Sequence, residues 1–144
     1  MVDSGAGESV MNPEDAPGYE VIETEGSKAG KFYEGPGGEK IAKLGKQTVG
    51  LVLKDGQRSK VTFNSAKVVR PLLAVSSVVD KGNGTIFLPG CAFILPLSKE
   101  MLQKIVSLVM SIPGKIELTR ERGVYHLPAW LMPAVETGFP RQGA

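Results

Sequence analysis

The chain has 144 residues, the length of one domain with a single hydrophobic core. Apolar residues make up 42% and charged residues 22%, and a net charge of +2 is too small to argue for a nucleic-acid or membrane surface. Cys91 and His126 are the sole residues of their kinds, which excludes an internal disulfide and a four-ligand Cys/His zinc site.

No apolar run reaches the roughly 18 residues that span a bilayer, and no basic-then-apolar leader opens the sequence. The expectation is an intracellular, cytoplasmic protein without cofactor or metal. Charge is unevenly spread. Up to Gly30 the acids Asp3, Glu8, Glu14, Asp15, Glu20, Glu23 and Glu25 face Lys28 alone, whereas the basic residues beyond are dispersed.

In chain order, Asp3-Ser4-Gly5-Ala6-Gly7 reads as a turn, and Asn12-Pro13 and Ala16-Pro17-Gly18 break regular structure. Tyr19 to Thr24 reads as a short strand, followed by a polar loop to Gly30. Lys31 to Glu34 and Glu39 to Leu44 flank Gly35-Pro36-Gly37-Gly38 as a hairpin. A second hairpin joins Thr48–Leu53 to Ser59–Phe63 across Asp55-Gly56. Pro71 splits the most apolar stretch, Val68 to Val79, into an extended part and a short helix ended by Gly82.

Thr85–Leu88 and Cys91–Leu95 read as strands around Pro89-Gly90, with Cys91 a small core residue. From Leu97 to Ile112 the apolar residues recur at steps of three and four, Ser98 can cap the start, and Pro113-Gly114 ends the run. That pattern predicts an amphipathic helix packed on a sheet, with a partner-binding helix as the alternative. Lys115–Leu118 and Gly123–Leu127 read as a last strand pair across Thr119 to Arg122, and a tail covers 131–144.

The chemistry concentrates at Asp3. A carboxylate that acts on a water needs backbone close by, which Gly5 permits, and a small neighbour such as Ala6 for substrate access. The Ser4 hydroxyl can brace the loop. Glu8 reads as a solvated turn carboxylate, and Tyr125 and Trp130 as packing residues. Gly45-Lys46-Gln47-Thr48 lacks the spacing of a phosphate-binding loop, and Ser4 or Ser9 with His126 lacks a nucleophile-elbow context.

Taken in order, Val2-Asp3-Ser4-Gly5-Ala6-Gly7, the Gly-tipped hairpin, the segment Arg70 to Asn83 and Gly123-Val124-Tyr125-His126-Leu127 resemble the retropepsin-like aspartic protease domain of copia-like retrotransposon polyproteins. The resemblance covers about Val2 to Trp130, taken as one domain, 1–130, whose usual preceding strand lies outside the sequence. It implies a mainly β, closed-barrel fold, with the helix at 97–112 as an insertion. It also implies that Asp3 is the catalytic carboxylate and that Ser4, Gly5 and Ala6 support it. Tyr33, Gly35, Gly37 and Gly38 would belong to a flap over substrate, and Ala74 would replace a family glycine after Leu72-Leu73.

No second Asp-(Ser/Thr)-Gly occurs, so a two-carboxylate site requires a homodimer, with a polypeptide as substrate. The alternative is a catalytically silent β domain of the same ancestry, serving as a structural or interaction segment.

Overall fold

The computed structural model describes residues 1–35 and 37–134. The chain folds as a small β-rich unit with few helices, and its centre is the hairpin of β5 (Gly45–Val52) and β6 (Arg58–Ser65). Along the inner half of this pair, side chains alternate between core and solvent, so Gln47, Val49, Phe63 and Ser65 face inward. Val49 and Phe63 pack with Met11 and Ala16, and half-buried Val61 and Leu73 close the cluster. The outer halves of both strands project beyond this core and are exposed.

Three short strands complete the centre. β1 (Val2–Asp3) runs parallel to β7 (Leu73–Ala74), and β2 (Val10–Met11) runs parallel to β6. Val10 and Leu72 exchange both backbone hydrogen bonds, at 2.9 and 2.8 Å, which ties β2 to the residue before β7. The Asp3 loop therefore leaves one parallel pair and enters another, with partners 71 and 54 residues downstream. Helix α2 (Val75–Asp80) follows β7 directly and buries Val75, Ser76 and Val78.

Three further hairpins surround this centre. β3 (Phe32–Glu34) pairs with β4 (Lys40–Ala42), β8 (Asn83–Leu88) with β9 (Cys91–Pro96), and β10 (Thr119–Glu121) with β11 (Val124–His126). Each forms a separate two-stranded sheet, and the largest sheet has the order β2-β6-β5. The expected closed barrel is absent among the described residues. Closure needs a continuous ladder of hydrogen bonds, and here the outer hairpins pair only within themselves.

Local expectations fared unevenly. The two hairpins predicted ahead of Pro71 both form, as β3–β4 and β5–β6, and the short helix after Pro71 appears as α2. The segment Tyr19 to Thr24 forms no strand; only Ile22 bridges Lys46, because Thr24 and Ser27 close a capping box that starts the one-turn helix α1 (Glu25–Lys28). The last strand pair lies later than expected: Thr119–Glu121 pairs with β11, and residues 115–118 stay outside it. Arg122 and Gly123 carry positive φ, 51° and 76°, so the turn occupies two residues rather than four.

The predicted amphipathic helix is α3 (Lys99–Met110), and the Met101 amide donates to Ser98 Oγ at 3.1 Å as the cap. Its expected packing on a sheet does not occur, for no residue of α3 is buried. Cys91 is exposed at the start of β9 rather than in a core, and Trp130 is 93% exposed. Of the expected 131–144 tail, residues 135–144 lie outside the described residues.

Candidate active site

The site is built on the loop between β1 and β2. Parallel pairing puts Asp3 opposite Ala74, which is fully buried, so the base of the loop rests on the innermost part of the chain. The Asp3 carboxylate is half-buried, and its Oδ1 accepts the Gly5 amide at 2.8 Å. A Cβ at position 5 would lie 3.3 Å from that same oxygen. Glycine thus lets the backbone curl under the carboxylate and donate to it.

The far end of the loop is held by Ser9, which the sequence offered only as a nucleophile lacking the right context. Its side chain is buried, and Ser9 Oγ accepts the Ala74 amide at 3.0 Å. A shared hydrogen bond of 2.8 Å joins Ser9 Oγ to Ser77 Oγ, and Ser77 Oγ donates to the Ala74 carbonyl at 2.8 Å. Two hydroxyls thereby satisfy the backbone of the β7–α2 junction and fix it against the loop. The signal available in the sequence was the pairing of small polar residues with a Leu-Leu-Ala run. That pattern shows its meaning only once the two segments meet.

The β10–β11 turn supports the loop from another side. The Tyr125 amide approaches the Ser4 carbonyl at 3.4 Å. At Gly123 a Cβ would come 2.7 Å from the Gly7 carbonyl oxygen, and at Gly7 a Cβ would come 3.1 Å from the Arg122 carbonyl oxygen. Two glycines therefore allow two backbones to touch. A polar cleft of about 330 Å³ opens beside this contact, lined by Gly7, Glu8, Ser9, Asn64, Ser76 and Arg122 among others. Asp3 is not among its lining residues.

On the cleft rim Arg120 binds Asp80 bidentately, at 2.6 and 2.8 Å. The guanidinium hydrogen bonds hold the Asp80 carboxyl below its usual range, and the carboxylate in turn raises the Arg120 guanidinium.

The expected flap hairpin, β3–β4, reaches the loop through one side chain. The Tyr33 hydroxyl donates to the Glu8 carboxylate. Lys43 Nζ lies 3.8 Å from the same carboxylate and 4.4 Å from the centre of the Tyr33 ring. Burial first, and then the Glu8 hydrogen bond, push the Tyr33 phenol well above its usual value. Glu8 is thus an exposed carboxylate, as expected, that also anchors Tyr33 and Lys43.

The tip glycines play a local part. Gly35 donates to the Glu39 carbonyl at 2.8 Å, Gly38 donates to the Gly35 carbonyl at 3.0 Å, and Gly37 donates to the Glu39 carboxylate at 2.9 Å. Asp3, Ser4, Gly5 and Ala6 are contiguous, and Tyr33 joins their loop at Glu8. Gly35, Gly37 and Gly38 make their hydrogen bonds within the tip. No group of three or more His, Cys, Asp or Glu side chains that could hold a metal occurs among the described residues, and no helix among them is long and apolar enough to cross a membrane.

No protein-family model matches the chain, and no curated protein or solved structure is significantly similar to it.

Proposed function

We propose that the chain is the aspartic endopeptidase domain of a retroelement-like polyprotein, with Asp3 as its catalytic carboxylate and a polypeptide as its substrate. The observation that carries this reading is the double anchoring of the Asp3 loop: β1 on β7 at one end, β2 on β6 at the other. Such anchoring holds a half-exposed carboxylate at the start of a glycine turn, where substrate backbone can approach. The ordered resemblance of Val2 to Gly7, Arg70 to Asn83 and Gly123 to Leu127 to retropepsin-like domains supports the same assignment.

The chemistry follows from carboxylate electrostatics. Two Asp carboxylates a few ångströms apart cannot both ionise, so they share one proton. The ionised member takes a proton from a water that attacks the peptide carbonyl, while the protonated member donates a hydrogen bond to the developing oxyanion. One chain supplies one such Asp, so the pair comes from two copies related by a two-fold axis. Ser4, Gly5 and Ala6 orient the carboxylate, and the β3–β4 hairpin, fastened at Tyr33, covers the substrate.

The absence of Asp3 from the lining of the polar cleft beside its loop favours a second reading, a catalytically silent domain of the same ancestry. The two part on one experiment. Cleavage of a peptide library at acidic pH, blocked by a transition-state-mimicking hydroxyl inhibitor and lost by at least about 1,000-fold in Asp3→Asn, is the outcome expected of the enzyme. Unchanged cleavage by Asp3→Asn removes Asp3 from the site, and a well-folded dimer that cleaves nothing selects the silent domain.

A further inference from the structure

The β8–β9 hairpin is built differently from the rest of the surface. From Asn83 to Ser98 no residue carries a charge. Both faces nevertheless meet solvent: Leu88 and Phe93 are 52% and 55% exposed on one, Phe87 and Ile94 62% and 45% on the other. Exposed edge strands ordinarily carry lysine or another charge that blocks pairing with a further strand. None is present here.

The hairpin is also unfinished as a sheet. Among the described residues β8 and β9 pair only with each other, and an isolated two-stranded sheet is marginal in water. The two-residue connection Pro89-Gly90, with Gly90 at φ 80°, makes Leu88 and Cys91 a hydrogen-bonded pair. Alternation along the ladder then turns the amides of Ala92 and Ile94 outward from β9, where no strand among the described residues receives them.

We infer that the outer edge of β9 pairs with the same edge of a second copy, running antiparallel across a two-fold axis and joining two hairpins into one four-stranded sheet. Three features select a second copy as the occupant. A two-fold axis makes identical strands antiparallel, so each outward amide meets an outward carbonyl. Self-pairing sets residues of one strand against residues of the same strand, where a charge would face its like, and β9 has none.

The third feature is area. The chain exposes 11472 Å², against roughly 7,100 Å² for a compact monomer of its 15.3 kDa. That surplus is larger than the roughly 1,000–2,500 Å² that each partner of an obligate dimer buries. The choice of a second copy also rests on the two-chain reading of Asp3.

The test uses the full chain. Sedimentation is expected to show a dimer, and hydrogen exchange at the Ala92 and Ile94 amides is expected to slow as protein concentration rises. Ala92→Pro, which removes one outward amide, and Phe93→Lys, which sets like charges together, are each expected to weaken the dimer roughly 30-fold or more. Preserved exchange protection in β5–β6 shows that a variant is still folded. A monomeric wild type, a dimer indifferent to both folded variants, or concentration-independent exchange at 92 and 94 overturns the inference. Its failure is separable from failure of the protease reading: a β9-dependent dimer whose cleavage ignores Asp3→Asn keeps the interface and loses the enzyme. An active dimer indifferent to Phe93→Lys does the reverse.

Discussion

At the scale of single residues, the loop is shaped by what is missing from its side chains. Gly5 leaves room for its amide under the Asp3 carboxylate, and Gly7 and Gly123 leave room for one backbone against another. Gly123 is the stricter of the last two, because its φ of 76° disfavours any side chain and the Gly7 carbonyl fills the space where one would go. Gly123→Ala is therefore expected to destabilise the chain by about 1–3 kcal/mol, read from urea denaturation, and to loosen the Asp3 loop with it. Gly90 has a similar φ, 80°, but open space around it. Gly90→Ala should show only the backbone share of that cost, and equal losses at the two sites would contradict a role for the Gly7–Gly123 contact.

At the scale of elements, the decisive pieces are short strands paired over long separations, joined to hairpins that fold locally. The hairpins were legible in the sequence. Asp55-Gly56 and Pro89-Gly90 announce tight turns, and the Ser98 cap with Pro113-Gly114 brackets α3 to within about two residues. The two-residue strands β1, β2 and β7 were not, since two residues carry no periodicity and their partners are set by topology alone. The same holds for the site. Asp3 to Ala6 announce themselves as a motif, whereas Ser9, Ser77 and Glu8 gain roles only through contacts with segments far away in the chain.

The β3–β4 hairpin offers a test at this scale, because its tie to the Asp3 loop runs through the Tyr33 hydroxyl and Lys43. Removing a half-exposed hydroxyl that bonds a carboxylate costs about 1 kcal/mol. Tyr33→Phe is accordingly expected to speed exchange of the hairpin amides by about fivefold while leaving β5–β6 unchanged. Unaltered exchange in Tyr33→Phe would mean that the hairpin is held by other contacts.

At the scale of the whole molecule, the chain has a small centre and a large apolar exterior. Met11, Ala16, Val49 and Phe63 form the core. Beyond it α3 buries nothing, and Leu108, Met110, Ile116, Leu127 and Leu131 all face solvent. The closed barrel expected from the resemblance is not formed among the described residues, because the outer hairpins share no ladder with the centre. A chain of this design has surface to give to a partner, and the proposed two-carboxylate site calls for a second copy.

The central claim, that peptide hydrolysis requires one Asp3 from each of two chains, is tested most directly by mixing. Wild-type and Asp3→Asn proteins are co-refolded in varied ratio at constant total concentration, and peptide cleavage is measured against the wild-type fraction. A shared site predicts activity that follows the square of that fraction, so an equal mixture keeps about a quarter of the wild-type rate. Activity proportional to the wild-type fraction, with about half remaining in the equal mixture, would contradict the account, since each chain would then work alone.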